Sequence, residues 1–162
     1  MNKATLQKLL DARSQVRFGT RLAWEAAVTV GARHDLGDGP LGRRFMVPIT
    51  GGIFRGGPDH PDFHGMVLAG GADRQLLRRD GVKELEAIYE MQVHDGAVLQ
   101  IRNEVIVDRP DSPDRYAVSR IRVAAPNGPW AWLNRRFFLG SLQSGRPDGD
   151  FVVVRGWEVL CG

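Results

Sequence analysis

Turn-forming clusters recur along this chain at intervals too short to leave room for helices. They read GDGP (37–40), RGGPDHPD (55–62), HDG (94–96), RPDSPD (109–114), PNGP (126–129) and SGRPDGD (144–150). Each supplies the Gly, Pro, Asn or Asp that tight turns demand. Between the clusters, apolar and polar residues tend to alternate, the period of a half-buried strand. RLAWEAAVTV (21–30) places Leu22, Trp24, Ala26, Val28 and Val30 on one face. Arg21, Ala23, Glu25, Ala27 and Thr29 take the other. RRFMVPIT (43–50) is a second strand, with Pro48 marking an edge, a bulge or its end. GMVLAGGAD (65–73) is a third, broken at Gly70-Gly71. ELEAIYEMQV (84–93) and AVLQIRNEVIV (97–107) pair as a hairpin. RYAVSRIRVAA (115–125), WAWLNRRFFLG (130–140) and FVVVRGWEVL (151–160) complete the set. The pattern predicts an all-β antiparallel barrel or sandwich. A closed barrel exposes no sheet edge and can hold one small ligand.

One segment has a different period. Residues 3–13 carry Leu6, Leu9 and Leu10 at helical spacing, with Thr5 as a capping residue. The expectation is a single N-terminal helix that closes one end of the barrel or packs on its outside. With 162 residues, the chain is read as one barrel domain, residues 1–18 forming a helical extension.

Charge and cysteine usage exclude several classes. Lys+Arg 22 against Asp+Glu 19 leaves a net charge of only +3. No run of five basic residues exists, so nucleic acid is not an expected partner. Nor is a membrane, because no apolar stretch reaches the ~20 residues of a span and the N-terminus does not read as a signal peptide. Cys161 is the only cysteine. An intrachain disulfide and a cysteine-built zinc site are impossible, and a cytoplasmic location is the default.

The candidates for chemistry are few. Asp73 follows Gly70-Gly71, whose freedom can bend the strand and aim the carboxylate into a pocket. Tyr89 shares the apolar face Leu85, Ala87, Met91, Val93, so its phenol is inward and needs a partner. Glu25 sits among small residues, which suits a cavity wall or a solvated face equally. Asp73, Tyr89 and Glu25 are the candidate catalytic groups. Arg43 and Arg44 point to opposite faces. Arg44 is assigned as the clamp for a substrate carboxylate, next to Asp73. Trp132 and Asn134, on one face of the 130–140 strand, offer stacking and an orienting amide. His60 and His64 are four apart, but Pro61 between them argues against a helical metal pair. No HExxH, GxGxxG, GxxxxGK or GxSxG motif is present, so neither metal nor cofactor is expected.

GRRFMVPITGGIFRG (42–56), VLAGGADRQLLRRDGV (67–82), the tyrosine within 84–103 and WAWLNRRFFLG (130–140) resemble, in order and rough spacing, the family catalogued as domain of unknown function 3237. The resemblance covers about Leu22 to Val159. It implies a calycin-type, lipocalin-like barrel that associates as a homo-oligomer, and it leaves the activity undefined. Three features depart from the family pattern. Arg74 stands where the family has Trp after the Asp, and Ile88 where it has Arg. The segment 57–65 is longer than the family's turn. The changes at Arg74 and Ile88 imply a different ligand or subgroup. The residues themselves fit a cofactor-independent lyase of decarboxylase type, or an isomerase, acting on a small hydrophobic or aromatic acid. A non-catalytic carrier of a small hydrophobic molecule and a filled, purely structural barrel are the alternatives.

Overall fold

The computed structural model describes residues 1–162. In chain order it contains α1 (Lys3–Asp11), β1 (Phe18–Val30), β2 (His34–Gly39), β3 (Gly42–Gly56), β4 (His64–Val67) and β5 (Ala72–Arg78). These are followed by β6 (Lys83–Val93), β7 (Val98–Asp108), β8 (Tyr116–Ala124), a 3-10 turn (Ala131–Arg135), β9 (Phe138–Ser144) and β10 (Phe151–Cys161). The sheet runs β1–β10–β9–β8–β7–β6, passes through β4 and β5, and returns through β3 to β1. β4 and β5 share one position, each pairing with β3 and β6. The result is a closed antiparallel barrel of eight strand positions. Closure leaves few backbone groups unpaired.

Two interruptions explain how the barrel bends. The first is Gly70-Gly71, between β4 and β5. Gly70 has φ +111, and a Cβ on Gly71 would lie 2.5 Å from the Ile88 carbonyl oxygen and 2.6 Å from Tyr89 Cβ. Only glycine lets the chain approach β6 this closely while it steps from one short strand to the next. The second is Pro48. β2 pairs with β3 as far as Met46, and β1 takes over the same edge at Ile49. The Pro48 carbonyl accepts from Gly31 N on that side. In an antiparallel strand the N–H of the same residue points the same way, so Pro48 lacks its donor at the gap between two neighbours.

The barrel is filled unequally. At the end where β1 begins, Trp24, Phe63, Leu133 and Phe138 are each at most 2 % exposed. Trp24 meets Phe138 edge-on at 4.9 Å between ring centroids and lies over Gly156, where a Cβ would fall 2.5 Å from its ring. This is the packed end. Toward the end where β1 finishes and β6 begins, the interior holds a cavity. This is the open end.

Several expectations are corrected. The segment 130–140 is not one strand: a 3-10 turn precedes β9, which begins only at Phe138. Trp130 and Leu133 are three residues apart and both turn inward, Leu133 fully buried, so the local period is three. Residues 34–39, which run into the expected GDGP turn (37–40), pair with β3 as β2. β3 extends to Gly56, and a strand follows Gly71 rather than ending at Asp73. The single helix is present, but Asn2 rather than Thr5 caps it, accepting from Thr5 N at 2.9 Å. It neither closes the barrel nor packs on it: residues 1–21 are all exposed. No helix is long and apolar enough to cross a membrane.

Candidate functional site

Register across the sheet defines the site. Asp73 on β5 stands opposite Ala87 on β6, and Ala87 opposite Asn103 on β7. Cross-strand partners point to the same face, here the interior. Two strand spacings of about 4.8 Å separate Asp73 from Asn103, and the methyl of Ala87 leaves that gap unfilled. Tyr89, two residues along β6, points the same way. These groups line a cavity of about 60 Å³ whose remaining wall is apolar, including Val28, Ile49, Leu142 and Val154.

The polar atoms here are unsatisfied. Asp73 Oδ1, Gln75 Oε1, Tyr89 OH, Asn103 Oδ1 and Ser119 Oγ are buried without hydrogen-bond partners. All five belong to the inner face of β5–β8. A buried polar atom left unpaired costs about 1–3 kcal/mol, so five on one wall are expensive unless something binds them. Asp73 Oδ2 accepts from Gln75 Nε2 at 2.6 Å. Burial raises the Asp73 pKa above its ordinary value, while the Gln75 hydrogen bond and the charge of Lys83 pull it down. Burial alone drives the Tyr89 phenol up, so it stays protonated.

The open end carries charge. Lys83 lies on the interior face of β6 with Leu85, Ala87 and Tyr89, two rows toward the mouth from Ala87. It is half-buried. Burial lowers its pKa, and Arg33 lowers it further. Asp73 and Asp111 raise it and Arg115 lowers it by smaller amounts. Arg33 stacks over Phe45 at 4.3 Å.

The other sequence candidates lie elsewhere. Arg44 is not beside Asp73. It pairs across β3–β5 with Leu76, whereas Asp73 pairs with Val47, three residues along β3 and hence on the opposite face. Arg44 is exposed and lines an open outer groove of about 790 Å³ with Arg74, Leu76, Glu86, Ile106 and Tyr116. Glu25 also faces outward. It accepts from Arg55 Nε at 2.7 Å and Arg155 Nε at 3.0 Å, and Arg55 first among these holds its pKa below the ordinary value. Trp132 is at the packed end, stacked on His60 at 4.5 Å. Asn134 bonds both backbone groups of Ala125, as donor at 3.0 Å and acceptor at 2.8 Å, pinning the 3-10 turn to β8. The structure therefore gathers Asp73 and Tyr89 and separates Glu25, Arg44, Trp132 and Asn134 from them. His60 and His64 do not face each other; His64 stacks on His94 at 4.5 Å.

Asn103, Gln75 and Lys83 are interior groups that the sequence reading passed over. Each had a signal. Asn103 interrupts the apolar alternation Leu99, Ile101, Val105, Val107, and Lys83 continues the inward series of Leu85 and Tyr89.

Solved structures with the same architecture come from diverse sources. A protein of unknown function from Clostridium acetobutylicum superposes with TM-score 0.78 at 25% identity, over 88% of this chain and 99% of its own. A conserved protein of unknown function from Rhodopseudomonas palustris gives TM-score 0.77 at 26% identity, over 91% and 100%. An enzyme from Penicillium herquei shares the fold at TM-score 0.67 and 19% identity, over 91% and 97%. The family model described as protein of unknown function (DUF3237) matches residues 19–159, and the chain belongs to that family.

Proposed function

We propose that the protein is a cofactor-independent enzyme, a decarboxylase-type lyase or an isomerase, acting by proton transfer on a small hydrophobic or aromatic acid held in the barrel cavity. One observation carries this reading: Asp73, Tyr89 and Asn103 direct buried, unpartnered oxygens at one otherwise apolar cavity. A carboxyl whose pKa is raised by burial is a stronger base when ionised, and so is suited to take and return a proton. The protonated Tyr89 hydroxyl donates to an oxygen that gains charge in the reaction. The Asn103 amide orients the substrate. The cavity admits only a few atoms, so the reacting group enters while the rest of the molecule lies toward the open end. Arg33 and Arg115 stand there as the cations for a carboxylate, the part first given to Arg44. The fold also houses an enzyme in Penicillium herquei.

The apolar wall favours a carrier as the second reading. Both are tested by incubating the protein in D2O with a panel of small aromatic oxo acids and following deuterium uptake and product by mass spectrometry. The enzyme reading expects conversion or exchange by the wild type. Asp73→Asn should fold and lose ~10²-fold or more of that rate, the usual scale of a general acid or base. Tight binding with no exchange or product by the wild type supports the carrier.

A further inference from the structure

We propose that Lys83 is a nucleophilic amine that forms an imine with a carbonyl-bearing ligand at the open end of the barrel. This rests on the reading above in one respect, that the ligand occupies the same cavity. Lys83 is the only lysine of the barrel; Lys3 and Lys8 lie on the exposed helix α1. Its position is fixed by register. Leu77, Lys83, Val107 and Ala117 form the row nearest the mouth on the inner face, and Gln75, Leu85, Val105 and Ser119 form the row above it. The next row holds Asp73, Ala87 and Asn103. Lys83 is thus two rows from Asp73 on the same inner face, with Gln75, Leu85, Val105 and Ser119 between them.

The groups around the amine are Arg33 from the β1–β2 connection, Asp73 from β5, and Asp111 and Arg115 from the β7–β8 connection. Partial burial and the charge of Arg33, with a smaller part from Arg115, outweigh the carboxylates of Asp73 and Asp111 and favour the neutral amine, the form that attacks a carbonyl. The depressed pKa of Lys83 agrees with this placement. The bookkeeping closes without any outside reagent. The neutral amine adds to the carbonyl carbon, and the resulting carbinolamine loses its hydroxyl as water after taking a proton from the Asp73 carboxyl. A protonated imine on Lys83 and the Asp73 carboxylate remain, opposite charges in one dry site. The imine nitrogen then accepts the electron pair released by loss of carbon dioxide or of a proton at the neighbouring carbon. Asp73 is the base placed to receive that proton.

The test uses the full chain with benzaldehyde as probe and cyanoborohydride at pH 7, followed by peptide mapping. Adducts at Lys83 should form markedly faster than at Lys3 or Lys8, because the neutral amine is the attacking form. Labelling at Lys83 should also set in at lower pH than at the helix lysines. Lys83→Arg keeps the charge and should remove the fast adduct. Because the comparison is internal to the wild type, misfolding of that variant does not affect it. Labelling of Lys83 no faster than Lys3 and Lys8 overturns the proposal. Asp73→Asn should slow trapping at Lys83. An Asp73→Asn protein that traps at the wild-type rate overturns the acid role of Asp73 and leaves imine formation at Lys83 standing.

Discussion

Asp73 and Glu25 are both strand carboxylates, and their surroundings drive them in opposite directions. Two arginines hold Glu25 in its ionised form, whereas burial favours protonated Asp73. The stability consequence for Asp73 has a definite sign. Its folded pKa is raised, so the folded state binds the proton more tightly than the unfolded chain does. Its favourable contribution is complete below the unfolded value of about 3.9 and is lost as pH rises through the folded value. Asp73→Asn should therefore be more stable than the wild type at pH 7. That advantage should shrink to its limiting value below pH 4 in thermal melts. An advantage that grows toward low pH would contradict the burial account. At this scale the sequence was informative in a limited way. The alternation of β6 made Tyr89 inward, but Glu25 had an equal claim to either face until Arg55 and Arg155 were seen on the neighbouring strands.

Among the elements, α1 and the 130–135 turn show where local pattern and tertiary context part. The leucine stripe of α1 is legible at helical spacing and the helix forms, yet it covers nothing in its own chain. Nine residues make a marginal helix in isolation, and no residue of α1 is buried. Removing residues 1–16 should shift Tm by less than about 2 °C, since a loss of 1 kcal/mol would move a chain of this length about 2–4 °C. A larger drop in calorimetry would show that the helix supports the barrel. The turn after PNGP failed as a sequence reading for the converse reason. Trp130 and Trp132 are good strand formers, but Trp130 Nε1 donates to Asp95 at 2.8 Å and Asn134 grips Ala125. Long-range hydrogen bonds and burial at the packed end override a local strand preference.

Across the whole molecule, closure depends on the first and last strands. β1 pairs with both β10 and β3, and Glu158 reinforces that seam. Its side chain is 4% exposed, accepts from Arg21 Nη2 at 2.8 Å and from Arg136 Nε at 3.0 Å, and so ties β1 to the approach of β9. Glu158→Gln takes a buried carboxylate away from two half-exposed arginines and should cost about 1.5–3 kcal/mol, the scale of a hydrogen bond to a charged group. Glu25→Gln, on the outer face and paired with the exposed Arg55, should cost less, about 1 kcal/mol. Denaturant titrations of the two variants check the contrast; equal losses would mean that burial of Glu158 does not matter to closure.

The sequence by itself determined the fold class. Turn residues at short spacing and alternation between them admit an antiparallel barrel or a sandwich, because strand period and turn chemistry are local properties written residue by residue, and closure into a barrel followed from how the first and last strands pair. It also marked the break at Gly70-Gly71 and the inward course of Tyr89. The identity of the site was a tertiary matter. Whether Arg44 meets Asp73 depends on register across β3 and β5, and a shift of one residue reverses every face. Which end of the barrel is filled depends on Trp24, Phe63, Leu133 and Phe138 arriving from four separate segments. Asn103, Ala87 and Asp73 became neighbours only when three strands aligned, and that alignment left the space between them open.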